Sequence, residues 1–153
     1  MAFWHVSSIA LVVCMAASTV FGPQASDPVE QAKTFFARFI QLERAYDPAV
    51  ADLYADDAVI KNKRTYPNGE VRELTFPAQQ YKQLIRQAIP VARARGDRSR
   101  YTQCVYEPDE TRVRIRCSRY SELKRYTSPY NLLVGPGRSG QWQILEELSE
   151  SRP

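Results

Sequence analysis

The stretch Leu53-Tyr54-Ala55-Asp56-Asp57-Ala58-Val59-Ile60 constrains the fold of this chain more than any other. Leu53 and Tyr54 close the apolar face of a short helix. Asp56 and Asp57 suit a corner, because short carboxylates accept hydrogen bonds from nearby backbone amides. Ala58-Val59-Ile60 then opens an apolar run with β-branched residues, which fits a strand. A helix must therefore hand over to a strand through an acidic turn.

The flanking sequence extends this pattern in both directions. Asp27-Pro28-Val29-Glu30 predicts a helix start, with Asp27 as cap, Pro28 in the first turn and Glu30 in the capping-box position. Val29, Ala32, Phe36, Phe39 and Ile40 recur at helical spacing to about Ala45. Asp47-Pro48 repeats the device for a short helix holding Val50, Leu53 and Tyr54. Strands are predicted over 58–66 and 70–76, joined at Asn68-Gly69, where both residues tolerate positive φ. A third helix enters at Pro77 with Ala78, Tyr81, Leu84, Ile85 and Ala88 as its buried stripe; Pro90 should kink or nearly end it, and Gly96 supplies a final cap. Strands over 100–107, 112–125, 130–134 and 141–148 complete the order α-α-β-β-α-β-β-β-β, an α+β chain with a mostly antiparallel sheet.

The first 25 residues contain no Asp, Glu, Lys or Arg, and Ile9 to Val20 is mostly apolar. That run falls short of the ~20 residues needed to span a bilayer, which predicts a cleaved secretory signal over residues 1–25 and one domain over 26–153; the alternative is a retained anchor, since Met1–His5 lacks the usual Lys or Arg. The segment carries the only histidine, His5, and Cys14, so the mature chain has no histidine and two cysteines, Cys104 and Cys117. A turn at Glu110-Thr111 places those two opposite each other in adjacent strands, where a disulfide fits an exported, periplasmic or secreted domain. No stable membrane span remains once the signal is removed.

The LYADDAVI signature at Leu53–Ile60 and the element order resemble the NTF2-like superfamily, which includes SnoaL-like and ketosteroid-isomerase-like proteins. The resemblance covers nearly the whole mature chain. It implies three helices packed on a curved sheet that closes into a cone, and a small-molecule pocket inside it. It also implies pocket walls that include Phe36, Phe39, Tyr54, Tyr81, Ile85, Tyr130 and Trp142, and a homodimer formed through the sheet's outer face. Tyr54, Tyr81, Arg119 and Trp142 are the candidate ligand contacts.

Strand periodicity assigns the charged residues. Val113, Ile115, Cys117, Arg119, Ser121 and Leu123 fall on one face, which must be the inner one. On the last strand Trp142, Ile144, Glu146 and Leu148 form the expected inward set. Arg119 and Glu146 on an apolar face need partners, each other or Asp57. Arg119 either orients an acidic ligand or belongs to a structural ion pair.

Several chemistries are excluded or disfavoured. In ketosteroid-isomerase-like relatives a base Asp and a Tyr carry the reaction; overlaying Asp56-Asp57 puts Asn62 and Phe39 at those positions, which removes both the base and the hydroxyl. A mature chain without histidine has no His-dependent dehydratase chemistry or Ser-His triad. No metal site and no cofactor is indicated. Gly135-Pro136-Gly137-Arg138-Ser139-Gly140 matches a dinucleotide fingerprint literally, but a strand follows it where a helix is required. It reads as a hairpin loop. Arg112, Arg114 and Arg116 alternate onto the outer face, either as a patch for anionic polymers or as a solvated strand face; export makes nucleic acid an unexpected partner. The sequence favours a binding or accessory module over an enzyme. The alternatives are a SnoaL-like enzyme using Asp57 on a small carbonyl or polycyclic substrate, and an envelope interaction or inhibitor protein using the Arg112/Arg114/Arg116 face.

Overall fold

The computed structural model describes residues 27–152, and the leader expected over residues 1–25 lies outside them. Helix α1 (Pro28–Ala45) begins where the Asp27 carboxylate accepts from the Val29 amide at 3.1 Å. Glu30 turns away from the capping box and pairs with Lys33 at 2.6 Å. The helix ends on Tyr46, whose left-handed φ of 53° lets its amide reach the last free carbonyls. Asp47 caps again, accepting from the Ala49 amide at 2.9 Å, but starts only a 3-10 turn over Pro48–Leu53.

Tyr54 is already extended. It opens β1 (Tyr54–Thr65), which runs straight through the acidic corner, four residues earlier than the sequence pattern suggested. β2 (Val71–Phe76) returns antiparallel after a loop closed by the Tyr66 amide on the Glu70 carbonyl, with Gly69 at φ 84°. Helix α2 (Ala78–Arg95) continues past Pro90 without ending there and is capped by Gly96. Its expected buried stripe is largely uncovered: Ala78 alone is buried, Tyr81 and Ile85 are partly so, and Leu84 is exposed.

The meander follows as β3 (Ser99–Asp109), β4 (Arg112–Ser121), β5 (Tyr126–Pro136) and β6 (Trp142–Ser151). One six-stranded sheet has the order β2-β1-β6-β5-β4-β3, antiparallel except for the β1–β6 pair. β4 stops at Ser121, so Leu123 falls in an exposed turn and leaves the predicted inner face. Glycine-rich residues 137–140 form the β5–β6 hairpin loop, with the Gly137 amide bonded to the Gln141 carbonyl at 2.8 Å. No helix among the described residues is long and apolar enough to cross a membrane.

Cys104 and Cys117 form a disulfide with Cα atoms 4.2 Å apart. The β3–β4 ladder keeps the expected register from Val105 to Asp109, then slips by one between Thr102 and Val105. Gln103 absorbs the slip with a φ of 52°.

The antiparallel registers divide the concave side into two ends. At one end Val113 and Ile115 of β4, Leu132 and Val134 of β5, and Ile144 of β6 pack with Phe36 of α1, all essentially without exposure. Burying side chains of this size contributes about 1.5–3 kcal/mol each, so this end carries much of the hydrophobic stabilisation. At the other end the same elements present Phe39 and Glu43, Arg119 and Ser121, Tyr126 and Tyr130, and Glu147. Here the space between α1, α2 and the sheet stays open.

Candidate functional site

A cavity of about 370 Å³ fills that open end, within the size range of small-molecule sites. Phe39, Val50, Tyr54 and Tyr130 form its buried interior, and Ile85, Ala88, Ile89 and Ala92 of α2 cover one side. Asp97, Lys124 and Arg152 stand exposed at its edge. The wall is strongly aromatic: the Tyr101 ring packs on Phe36, Phe39 and Tyr130 at centroid distances of 5.4, 6.2 and 5.2 Å, and Tyr81 packs edge-on to Tyr54 at 5.4 Å.

The buried carboxylate is Glu147, only 2 % exposed. It accepts hydrogen bonds from the hydroxyls of Tyr54 at 2.5 Å, Tyr81 at 3.0 Å and Tyr130 at 3.2 Å. These donors arrive from β1, α2 and β5, so one side chain ties three elements together. Burial, reinforced by the adjacent carboxylate, pushes all three phenols well above the usual tyrosine range. They stay protonated and act as donors.

The inward carboxylate is thus Glu147 and not Glu146. Leu133 pairs with Glu146 while Val134 pairs with Ile144, so Leu145 has no partner across β5; the β1 ladder also passes from Ile144 to Glu146. This bulge inverts the alternation beyond Ile144. Glu146 emerges on the outer face and takes Arg114 at 2.5 Å. Leu148 turns outward with it.

A second polar group lies nearer the α1 side. Burial raises the Glu43 carboxyl above the ordinary carboxylate range, against hydrogen bonds from Tyr101 and Ser99 and the charge of Arg119. The Glu43 Oε2 atom is buried without a hydrogen-bond partner, as are the Tyr46 hydroxyl and the Arg119 Nε. Arg119 donates from Nη2 to the Glu150 carbonyl at 3.2 Å and its guanidinium stacks over the Tyr130 ring at 5.5 Å, but none of the ion pairs among the described residues involves it.

Of the residues singled out from the sequence, Tyr54, Tyr81 and Arg119 therefore line one cavity. Trp142 does not. It starts β6 at the packed end and borders a separate surface depression with Phe35, Leu53 and Gln141. Asp57 is also absent from the cavity wall; its half-exposed carboxylate pairs with Arg138 of the β5–β6 loop at 3.0 Å. Its neighbour Asp56 pairs with Lys82 of α2 at 2.8 Å, and the hydrogen bond from that ammonium lowers its pKa. The acidic corner thus clamps α2 and the hairpin loop against β1. Asn62 bonds Ser149 and Ser151 on β6, and Phe39 stacks against Phe36 and Tyr130.

The outer arginines are all spoken for: Arg112 by Asp109 at 2.9 Å, Arg114 by Glu146, and Arg116 by Glu107 at 3.0 Å. Sequence reasoning missed Glu43 and Glu147. Glu43 lies four and seven positions after Phe39 and Phe36 on the same apolar helix face, and that spacing alone would have flagged it.

No family model and no curated protein matches this chain. Solved structures do. An NTF2-like protein of unknown function from Pseudomonas putida KT2440 is 12 % identical with a TM-score of 0.62, over 80 % of this chain and 85 % of that one. An NTF-2-like protein of unknown function from Shewanella oneidensis MR-1 is 14 % identical with a TM-score of 0.61, over 82 % of this chain and all of that one. An NTF2-like protein from Novosphingobium aromaticivorans is 14 % identical with a TM-score of 0.54, over 79 % of each chain. The chain has the NTF2-like fold, three helical segments on a curved, mostly antiparallel sheet.

Proposed function

We propose that this domain binds a small, partly apolar molecule inside the cone. The observation that carries the reading is the clustering of unmet polar atoms: Glu43 Oε2, the Tyr46 hydroxyl and Arg119 Nε are all buried, all lack a protein partner, and all belong to one aromatic cavity. A buried polar group without a partner costs about 1–3 kcal/mol, so a ligand that satisfies several of them gains affinity as well as orientation. The Glu147 cluster is different in kind. Its carboxylate is met by three hydroxyls, and it serves to shape the wall.

The reading as an enzyme using Asp57 has little support, because that carboxylate does not line the interior cavity and pairs with Arg138. The reading as an interaction protein needs unpaired outer arginines, and each of the three is paired. The Cys104–Cys117 disulfide supports a periplasmic or secreted setting for the binding role. Native mass spectrometry of protein purified from its own host tests both points. A co-purifying small molecule and a mass lacking the leader are expected; an empty cone under gentle conditions with the leader retained would refute them.

A further inference from the structure

The cavity charges specify more than apolarity, if the binding reading above holds. We infer that the ligand is a planar, ring-bearing carboxylic acid, bound as its anion against Arg119, with the Glu43 carboxyl as a second contact to its head group.

The aromatic walls set the body of the ligand. Phe39, Tyr101 and Tyr130 present ring faces and edges along the same cavity, which suits a flat hydrocarbon ring better than a flexible chain. Arg119 sets the head. Its Nε–H is a charge-assisted donor with no acceptor, in a planar fork whose geometry suits a carboxylate.

The proton follows from charge bookkeeping in a closed site. Arg119 and Glu147 carry opposite formal charges on the same cavity wall. An ionised Glu43 would make the cavity anionic and repel a carboxylate in a medium that screens poorly. Protonated, Glu43 is neutral and turns from acceptor to donor. The groups facing it permit this: Tyr101 and Ser99 from β3 and Arg119 from β4 favour the anion, while burial and Glu147 of β6 oppose it and win. From β5 come the phenols Tyr126 and Tyr130, from the end of α1 the Tyr46 hydroxyl, and from α2 the Tyr81 phenol among apolar side chains. Lys124, Arg152 and Asp97 lie at the exposed edge. Arrival of an anion beside Glu43 shifts it further toward the protonated form, so binding takes up a proton.

The test uses three probes on one ring: 1-naphthoate, 1-naphthylmethanol and 1-naphthylmethylamine, measured by titration calorimetry at neutral pH in two buffers of different ionisation enthalpy. The acid should bind at least about tenfold more tightly than the alcohol or the amine, with net proton uptake revealed by the buffer dependence. Arg119→Met should bring the acid down to the level of the alcohol. Arg119→Lys, which keeps the charge and loses the fork, should recover only part of the affinity and covers the case in which the first variant misfolds. Glu43→Gln, whose amide takes up no proton, should abolish the proton uptake that accompanies binding of the acid. If none of the three probes binds, the cavity reading itself fails. If the alcohol or amine binds as well as the acid, the cavity reading stands and the acid preference is overturned. If proton uptake survives in Glu43→Gln, the role given to Glu43 is wrong.

Discussion

The Tyr54 hydroxyl donates to the Glu147 carboxylate at 2.5 Å, joining the first residue of β1 to the far half of the last strand. With Tyr81 and Tyr130 on the same carboxylate, removing Glu147 strands three buried hydroxyls. Each orphaned donor costs about 1–3 kcal/mol, with incomplete additivity, so Glu147→Ala should lower unfolding stability by about 3 kcal/mol or more. Tyr81→Phe, which removes one donor from a carboxylate that keeps two, should cost about 1 kcal/mol. Urea unfolding near neutral pH measures both; a loss below about 1 kcal/mol for Glu147→Ala would show that the hydroxyls do not depend on it.

Glu43 makes stability depend on pH in a defined direction. Its carboxyl is raised above the ordinary range by burial, so the folded chain holds that proton more tightly than the unfolded chain. The resulting contribution is full below the unfolded-state pKa and is lost as pH rises through the folded-state value. Glu43→Gln removes this penalty. The variant should match the parent at about pH 4 and melt higher at about pH 7.5, compared by thermal unfolding. Equal melting temperatures at the higher pH would overturn the assignment.

The disulfide closes a loop between positions 13 apart in sequence, and it pins the β3–β4 ladder beside its register slip. Replacing both cysteines by serine should cost about 3 kcal/mol, on the chain-entropy account of loop closure. Unfolding of oxidised and double-serine protein in guanidinium chloride provides the comparison, and coincident midpoints would refute it.

Trp142 and Asp57 provide controls for the cavity. Trp142 borders another depression and Asp57 an exposed ion pair. Trp142→Phe and Asp57→Asn should each leave 1-naphthoate affinity within about twofold of the parent, since neither touches the proposed head-group site. A loss of about tenfold in either would relocate the site.

The helices, the hairpin at Gly69 and the opposition of Cys104 to Cys117 were legible because caps, turn residues and strand alternation act locally. Arg119 was legible for the same reason: β4 runs without interruption from Val113 to Ser121, so counting by twos holds. Counting failed on β6. The two-residue period presumes an unbroken ladder, and Leu145 breaks it. Its apolar side chain beside Ile144, on what would have been the solvent face, was the residue at odds with simple alternation. Trp142 failed differently. It has the inward phase, but strand order and register put it at the packed end, and neither is encoded in a single strand's pattern. Tyr54 was read as the close of a helix because a 3-10 turn and an α-helix share apolar spacing over so few residues.

The unpaired Leu145 also has an evolutionary consequence. Glu146 and Glu147 are adjacent in the chain, yet one faces the arginine-bearing exterior and the other the tyrosine-lined cavity. Which glutamate goes where is decided by strand length, not side-chain identity. A descendant that straightened β6 while keeping every residue would turn Glu146 inward and Glu147 outward, orphaning Arg114 and three tyrosines in one step. Loss of Leu145 alone would regularise the strand and leave both glutamates in place. Within this fold, whether one residue of an outwardly ordinary strand is bulged or paired can therefore rewrite the chemistry of the interior without a single substitution.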